Sequence, residues 1–348
     1  MPINIFQTNR GKAGTFTWNA IRKILVHKPD HVGDVLAAAP AIDSLRKTAP
    51  EAKIIAAVTP SSGAFLEALN LVDDIHPMKG PSWWKSPRAA AFVLWARRQE
   101  FDLVLNLRHD LRDIALMRFL GAPFVCTYTH RGVGRFASHA GGAPRADLPE
   151  SQNHLRLVSL LGVHAGTGIF QPTVPSKEQR ANETILEAGK AWIAFHPFAR
   201  TPAKRWETQK AKALLKALLG EGFGVVLVGG REHEKEAGEL AGGLPGAVNL
   251  VGQTNAGRFL SILSRCVLVI STDSAPGHAG ALVGTKVVSL MSGTNEAARW
   301  APDGANVIKK DVPCAPCHLE KCPVSGHPCM SGIEPEAILQ IVKEALAP

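Results

Sequence analysis

Short apolar runs and longer amphipathic stretches alternate along this chain, and their order carries most of the information. The run at 23–27 (KILVH) has the continuous apolar character of a strand covered on both faces. From 33 to 47, Val35, Ala39, Ile42 and Arg46 recur at three- and four-residue spacing, with Leu36, Ala38 and Leu45 beside them. That spacing predicts one amphipathic helix. The pattern then predicts strands at 53–58, 72–77, 102–106 and 124–127, and helices at 61–69, 86–98 and 110–120. Residues 129–152 break the rhythm with Gly, Pro, His and Arg and read as a functional loop, followed by a helix at 153–161. Residues 166–179 have no strong period and read as an interdomain linker. The alternation then restarts, with strands at 192–196, 224–228, 267–271 and 287–290. Helices are predicted at 207–219, 232–241, 256–264, 276–283 and 333–346.

This order predicts an α/β protein: a lead-in at 1–22, domains at 23–172 and 173–332, and a closing helix in 333–348. Two such halves are expected to form Rossmann-like parallel sheets facing each other across a cleft. Ligands of open parallel sheets bind beyond the carboxyl ends of the strands. Chemistry is therefore expected in the loops after His27, His196, Val228, Ser271 and Leu290.

Composition narrows the class. With 348 residues, 45% hydrophobic and 20% charged, the chain is an average globular protein with enough apolar side chains for sizeable cores. No apolar run reaches the ~18–20 residues that span a bilayer. Residues 1–23 lack the apolar core of a secretory signal, and six cysteines are too few for a disulfide scaffold at this length. The cytoplasm is the expected compartment. The net charge of +9 is uneven: residues 1–172 carry 20 Lys/Arg against 13 Asp/Glu, and residues 173–348 carry 19 against 17. A basic first half suits an anionic partner, against the plainer reading of a solvated surface.

Six segments hold candidate chemistry. In His27–Asp34 (HKPDHVGD), Gly33 permits close backbone approach and the helix start offers free N–H groups to an anion. Asp34, in the first helical turn, suits a general base on a sugar hydroxyl; the competing reading is dipole complementarity. In 196–206 (HPFARTPAKRW), Lys204 and Arg205 can bind phosphates, or simply be a solvated basic loop. In 228–234 (VGGREHE) a carboxylate can hold a ribose hydroxyl pair, or be an ordinary acidic first turn. The segment 271–278 (STDSAPGH) is the most informative: N–H groups and the Ser274 hydroxyl can cradle a diphosphate, and His278 adds a donor one turn on. Cys314, Cys317, Cys322 and Cys329 can bind zinc, form disulfides or remain a reduced cluster. Trp83–Trp84–Lys85–Ser86–Pro87–Arg88 combines aromatics and cations as an interfacial helix start does, with core packing as the alternative.

These segments together resemble glycosyltransferase family 9, the ADP-heptose:lipopolysaccharide heptosyltransferases. The resemblance runs from VGDVLAAAPAIDSLRKTAPEAKI (32–54) through FHPFARTPAKRW (195–206) and VLVGGREHE (226–234). It is sharpest in VISTDSAPGHAGALVGTKVVSLMSGTNEAARW (269–300), and includes the Cys-Pro segment and the closing IEPEAILQIV. It implies a GT-B fold and an inverting transfer of heptose from ADP-heptose to a lipopolysaccharide inner-core acceptor of the lipid A–Kdo type. By the match, Asp34 is the general base. Gly33, His31, Arg108 and Arg131 fall to the acceptor. Thr201, Lys204, Glu234, Asp273, Ser274, Ala275 and His278 fall to the donor, with Glu234 on the ribose.

The resemblance implies no metal for catalysis; a structural metal at the cysteines stays open. It also implies an anionic membrane surface as partner, at the cytoplasmic face of the inner membrane, and no nucleic acid. Three departures stand out. Ala275 occupies a usual Gly position. Ser292–Asn295 replaces Gly-Pro-Thr-Asp, and Asp30–His31 replaces a Ser-Ser-like pair. The alternatives are a sugar- or nucleotide-binding protein that kept the fold without catalysis, and a transferase for another nucleotide sugar.

Overall fold

The computed structural model describes residues 15–80, 88–163, 169–170, 182 and 184–347. The chain divides into two compact units, the first ending at Gly168 and the second beginning at Ile169. Trp83, Trp84, Ser86, Pro87 and almost all of the predicted linker lie outside the described residues.

The first unit is a six-stranded parallel sheet of β1 (Lys23–His27), β2 (Lys53–Val58), β3 (Asp74–Pro77), β4 (Leu103–Asn106), β5 (Phe124–Tyr128) and β6 (His139–Gly141). Their order across the sheet is β3-β2-β1-β4-β5-β6. The helices between them are α1 (Val32–Leu36), α2 (Ala39–Thr48), α3 (Pro60–Ala68), α4 (Arg88–Arg98), α5 (Leu111–Met117) and α6 (Glu150–Val158). The second unit repeats the plan with β7 (Trp192–His196), β8 (Gly224–Leu227), β9 (Ala247–Asn249), β10 (Leu268–Thr272), β11 (Lys286–Met291) and β12 (Asn306–Lys309), ordered β12-β11-β10-β7-β8-β9. Its helices are α7 (Thr208–Gly220), α8 (Glu234–Ala241), α9 (Ala256–Arg265), α10 (Ala275–Leu282), α11 (Ala297–Trp300), α12 (Pro328–Ser331) and α13 (Pro335–Leu346).

Both sheets have the Rossmann strand order, in which the winding direction reverses once. The reversal falls between β1 and β4 in the first unit and between β7 and β10 in the second. Helices cover the sheet faces, so the middle strands read as unbroken apolar runs. Ile24, Leu25 and Val26 of β1 and Leu268, Val269 and Ile270 of β10 are fully buried.

The structure corrects the reading at two places. The single helix expected over 33–47 is two helices, with Ala37–Ala38 as a turn between α1 and α2. Pro40 is the cause: it has no N–H to donate to the preceding turn and suits the start of a helix. The expected loop at 129–152 contains β6 and the beginning of α6. Strands β6, β9 and β12 escape the apolar pattern because they are short edge strands, with partly or fully exposed residues and little core to signal them.

Candidate functional site

In the first unit, β1 and β4 end side by side, with His27 and Asn106 in register. His27 Nδ1 and Asn106 Oδ1 are 2.9 Å apart, so the ring donates from Nδ1, and the Asn106 amide donates in turn to Thr127 Oγ1 and to the Arg108 carbonyl, both at 2.9 Å. Burial pushes the His27 pKa down to about 4, which keeps the ring neutral.

Next in the chain comes Lys28, almost fully buried, which donates to the Leu107 carbonyl at 3.2 Å and pairs with Asp30 at 3.3 Å. Arg108 spans the switch point: Nε lies 3.3 Å from Asp30, and Nη1 lies 2.9 Å from Asp113, whose side chain is fully buried. Burial alone would raise the Asp30 pKa, but Lys28 and Arg108 outweigh it and hold that carboxyl below its usual range. Asp110 caps α5 through Arg112 N at 2.9 Å, which sets the helix carrying Asp113.

This clamp fixes the loop leading into α1. His31 is the exposed N-cap of α1 and Gly33 and Asp34 lie in its first turn, Asp34 partly exposed. The structure therefore brings together Asp34, Gly33 and His31 at one helix start, beside the switch point. It commits Arg108 to two carboxylates of its own chain. Arg131 stands elsewhere, exposed in the turn between His130 and Val133 beyond β5.

In the second unit, β7 and β10 end together, and the Thr272 hydroxyl donates to the Phe198 carbonyl, tying the two following loops to each other. Thr201 begins a short 3-10 turn at Pro202–Lys204. Lys204 leaves that turn to meet Asp273 at 2.7 Å, the residue just after β10. With its amide oriented as the neighbouring groups require, Asn295 also presents its oxygen to Lys204 Nζ at 3.2 Å.

Ser274 is the N-cap of α10 and uses no side-chain cap; its hydroxyl lies 3.3 Å from Ser271 Oγ. Ala275 opens the helix, followed by Pro276. His278, one turn on, is partly buried, and loss of hydration lowers its pKa against the opposing effect of Asp273 and Asp303. A Cβ on Gly280 would lie 2.7 Å from Val269 Cγ2, so α10 is pressed onto β10 at a distance only glycine permits.

Thr201, Lys204, Asp273, Ser274, Ala275 and His278 thus share one strand-end site. Glu234 is set apart, past β8: it opens α8, is half-exposed, lies 3.5 Å from Arg231, and packs over Gly252. Beneath the loop after β7, His196 donates from Nδ1 to the Val228 carbonyl at 2.8 Å, and Phe198 stacks on His233. Burial lowers His196 to about 4.

The cysteine segment lies against this second site. Cys317 N donates to the Gly293 carbonyl and His318 N to the Thr294 carbonyl, both at 2.9 Å. Ala203 N donates to the Glu320 carbonyl, and His327 Nε2 donates to the Ala203 carbonyl, both at 3.0 Å. Cys314, Cys317, Cys322 and Cys329 are free thiols; burial, then its sister thiols, raises the Cys329 pKa. Among the described residues, no group of three or more His, Cys, Asp or Glu side chains is arranged to hold a metal.

Sequence reasoning missed two participants. Asp113 left a signal: a lone carboxylate on the inward face of a helix. Lys28 left none, since its partners are set by the loops. Asn295 stood out only as a departure from the family pattern, and its reach to Lys204 is set by the loops as well.

Two Rossmann sheets, each with polar and charged groups gathered at its switch point, are the architecture of the GT-B fold. The chain belongs to glycosyltransferase family 9 (heptosyltransferase), whose model matches residues 94–327. It is 27% identical to lipopolysaccharide heptosyltransferase 3 of Escherichia coli over 292 residues, covering 80% of this chain and 85% of that one. The fold is similar to the family 9 glycosyl transferase of Veillonella parvula, with a TM-score of 0.76, 19% identity, and coverage of 96% of this chain and 99% of that one. It is also similar to E. coli ADP-heptose lps heptosyltransferase II, with a TM-score of 0.72, 21% identity, and coverage of 93% and 98%. Among the described residues, no helix is long and apolar enough to cross a membrane.

Proposed function

We propose that this chain transfers heptose from ADP-heptose to a lipopolysaccharide inner-core acceptor of the lipid A–Kdo type, with inversion, at the cytoplasmic face of the inner membrane. The observation that carries this reading is the Lys204–Asp273 pair at the N-terminus of α10, beyond the switch-point strands of the second unit. A lysine, a helix start and a hydroxyl there form a diphosphate site. The first unit takes the acceptor and the second takes the donor.

Asp34 accepts the proton of the acceptor hydroxyl as that oxygen attacks the anomeric carbon. The new C–O bond forms as the bond to the phosphate oxygen breaks, and ADP leaves with the electron pair. Lys204 and the N–H groups of α10 meet the charge that develops on ADP. His278, kept neutral, donates one hydrogen bond. The residues present supply this charge stabilisation themselves, and we propose that no metal is required.

Asp34→Asn tests the reading in a donor-turnover assay with product mass spectrometry over a panel of nucleotide sugars and truncated cores. The expected result is a ~10²–10⁴-fold fall in kcat with ADP binding retained. Unchanged turnover removes Asp34 as base. A wild-type protein that binds donors and turns over none of the panel is a binding protein.

A further inference from the structure

Three of the large apolar side chains among the described residues of the first unit stand well exposed, and all three belong to α4, α5 or the turn after it: Leu94 at 56%, Leu111 at 41% and Phe119 at 53%. The two helices are neighbours on one sheet face. Phe92 and Ala96 of α4 share a core cluster with Met117 and with Leu120 just after α5. The end of α4 lies beside the segment after α5, since a Cβ on Gly121 would lie 3.4 Å from Arg97 Cγ.

The outward positions of α4 are Arg88, Ala90, Ala91, Leu94, Arg97 and Arg98. That face has cations, alanines and a leucine, and no acidic or neutral polar side chain. A helix that merely meets water carries mixed charge on its outer face. Beside it, Arg112 and Arg118 are exposed on and just after α5, flanking Phe119.

From this juxtaposition we infer that the outer face of α4, with Arg118 and Phe119, is a docking surface for an anionic lipid bilayer. The inference rests on the proposed reading, in which the acceptor is a glycolipid. The charge is complementary to acidic headgroups, and isolated apolar side chains ringed by arginine suit shallow insertion at the headgroup level. They are too few and too scattered for the apolar centre of a stable protein interface. Helix α4 follows β3 and so starts at the strand-end edge, where Asp34 also lies. A bilayer lying along α4 therefore passes the edge at which a membrane-anchored acceptor must arrive.

The test is co-sedimentation of the full chain with vesicles of phosphatidylcholine alone, or of equal parts phosphatidylcholine and phosphatidylglycerol, across a salt series. Wild-type protein should bind only the anionic vesicles, and less as salt rises. Each basic residue near such a surface contributes about fivefold in affinity, so combined Arg97→Glu, Arg98→Glu and Arg118→Glu should lower binding by at least ~10²-fold. Leu94→Ser with Phe119→Ser should weaken binding while preserving its salt dependence. Combined Lys216→Glu, Lys235→Glu and Lys310→Glu, on the second unit, should change it by less than about threefold. Thermal unfolding of each variant checks that it is folded. Turnover on a delipidated, soluble acceptor should match wild type in the α4 variants, and its absence in wild type counts against the transferase reading alone. No wild-type binding to anionic vesicles, equal loss in the second-unit variants, or α4 variants that lose self-association and keep vesicle binding would each overturn the inference.

Discussion

Lys204 and Asp273 form an ion pair, 2.7 Å between Nζ and Oδ2, linking the loop after β7 to the residue after β10. The carboxylate occupies the lysine that a diphosphate would need. On the proposed function, donor binding is an exchange in which phosphate oxygens take the ammonium over from Asp273. Lys204→Met should weaken ADP binding by ~10–10²-fold, the weight of a charge-assisted hydrogen bond. Asp273→Asn should strengthen it several-fold by removing the competing charge. Adenosine, which lacks the diphosphate, should bind all three proteins alike. Calorimetric titration with both ligands reads this out, and parallel losses for ADP in both variants would show the pair acting as one phosphate-binding unit.

Arg108 sits between Asp30 and the fully buried Asp113, so its loss leaves a carboxylate in the interior without its cation. Arg108→Met should cost about 3–5 kcal/mol of stability. Adding Asp113→Leu should restore most of that, since the charge left behind is removed as well. Urea unfolding of the single and double variants measures it; a double variant as weak as the single one would mean that packing, not charge, is at stake.

Acid should destabilise the protein well before its carboxylates titrate. His27 and His196 are held near a pKa of about 4 in the folded protein by burial, against 6.5 for a solvated ring. Below pH 6.5 the unfolded chain takes up protons that the native rings refuse. The contribution of these rings should therefore fall from about pH 6.5 to about pH 4 and be constant below, where the loss of depressed carboxylates such as Asp30 takes over. Each ring contributes a slope of up to about 1.4 kcal/mol per pH unit, some 3 kcal/mol across the window. His27→Asn or His196→Asn should each take one proton from the slope of urea midpoint against pH. An unchanged slope would place the titration in other groups.

Gly280 is where α10 meets β10 most closely, with Val269 Cγ2 only 2.7 Å from the position of a Cβ. Gly280→Ala should lower stability by about 1–3 kcal/mol through overpacking. Val269→Ala in the same chain should relieve it, as the interfering methyl is then gone. Thermal melts of the pair decide; no rescue would mean that α10 yields elsewhere.

Much of the fold is legible in the residue pattern, for a physical reason: β1, β2 and β7 are buried strands, and burial writes itself as continuous apolar runs. The same logic hides β6, whose sequence is His-Ala-Gly. An edge strand of three residues has backbone pairing but little core to signal it. The break at Pro40 was open to sight, because proline cannot continue a preceding helix, yet the apolar spacing runs across it. At the sites, strand-end loops and helix starts are readable, and they locate Asp34, Lys204, Asp273, Ser274 and His278. The engagement of Arg108 is not readable. A basic residue after a strand looks alike whether it awaits a phosphate or grips Asp30 and Asp113, and only the folded loops choose.

The closing helix has a bearing on how the protein is made. Ile338 and Val342 of α13 are fully buried in the second core, and the Trp206 indole, two residues after Lys204, donates to the Ile333 carbonyl at 3.1 Å. Lys210 on α7 reaches the Ser331 carbonyl and the Glu334 carboxylate. The ground beneath Lys204 is thus laid by residues that leave the ribosome after every strand of the second sheet. The first unit can fold while synthesis continues. The second must wait as an unfinished sheet, with its apolar face open, until α13 emerges. A nascent chain stalled before residue 333 should therefore be the form most in need of a chaperone, and blind to nucleotide.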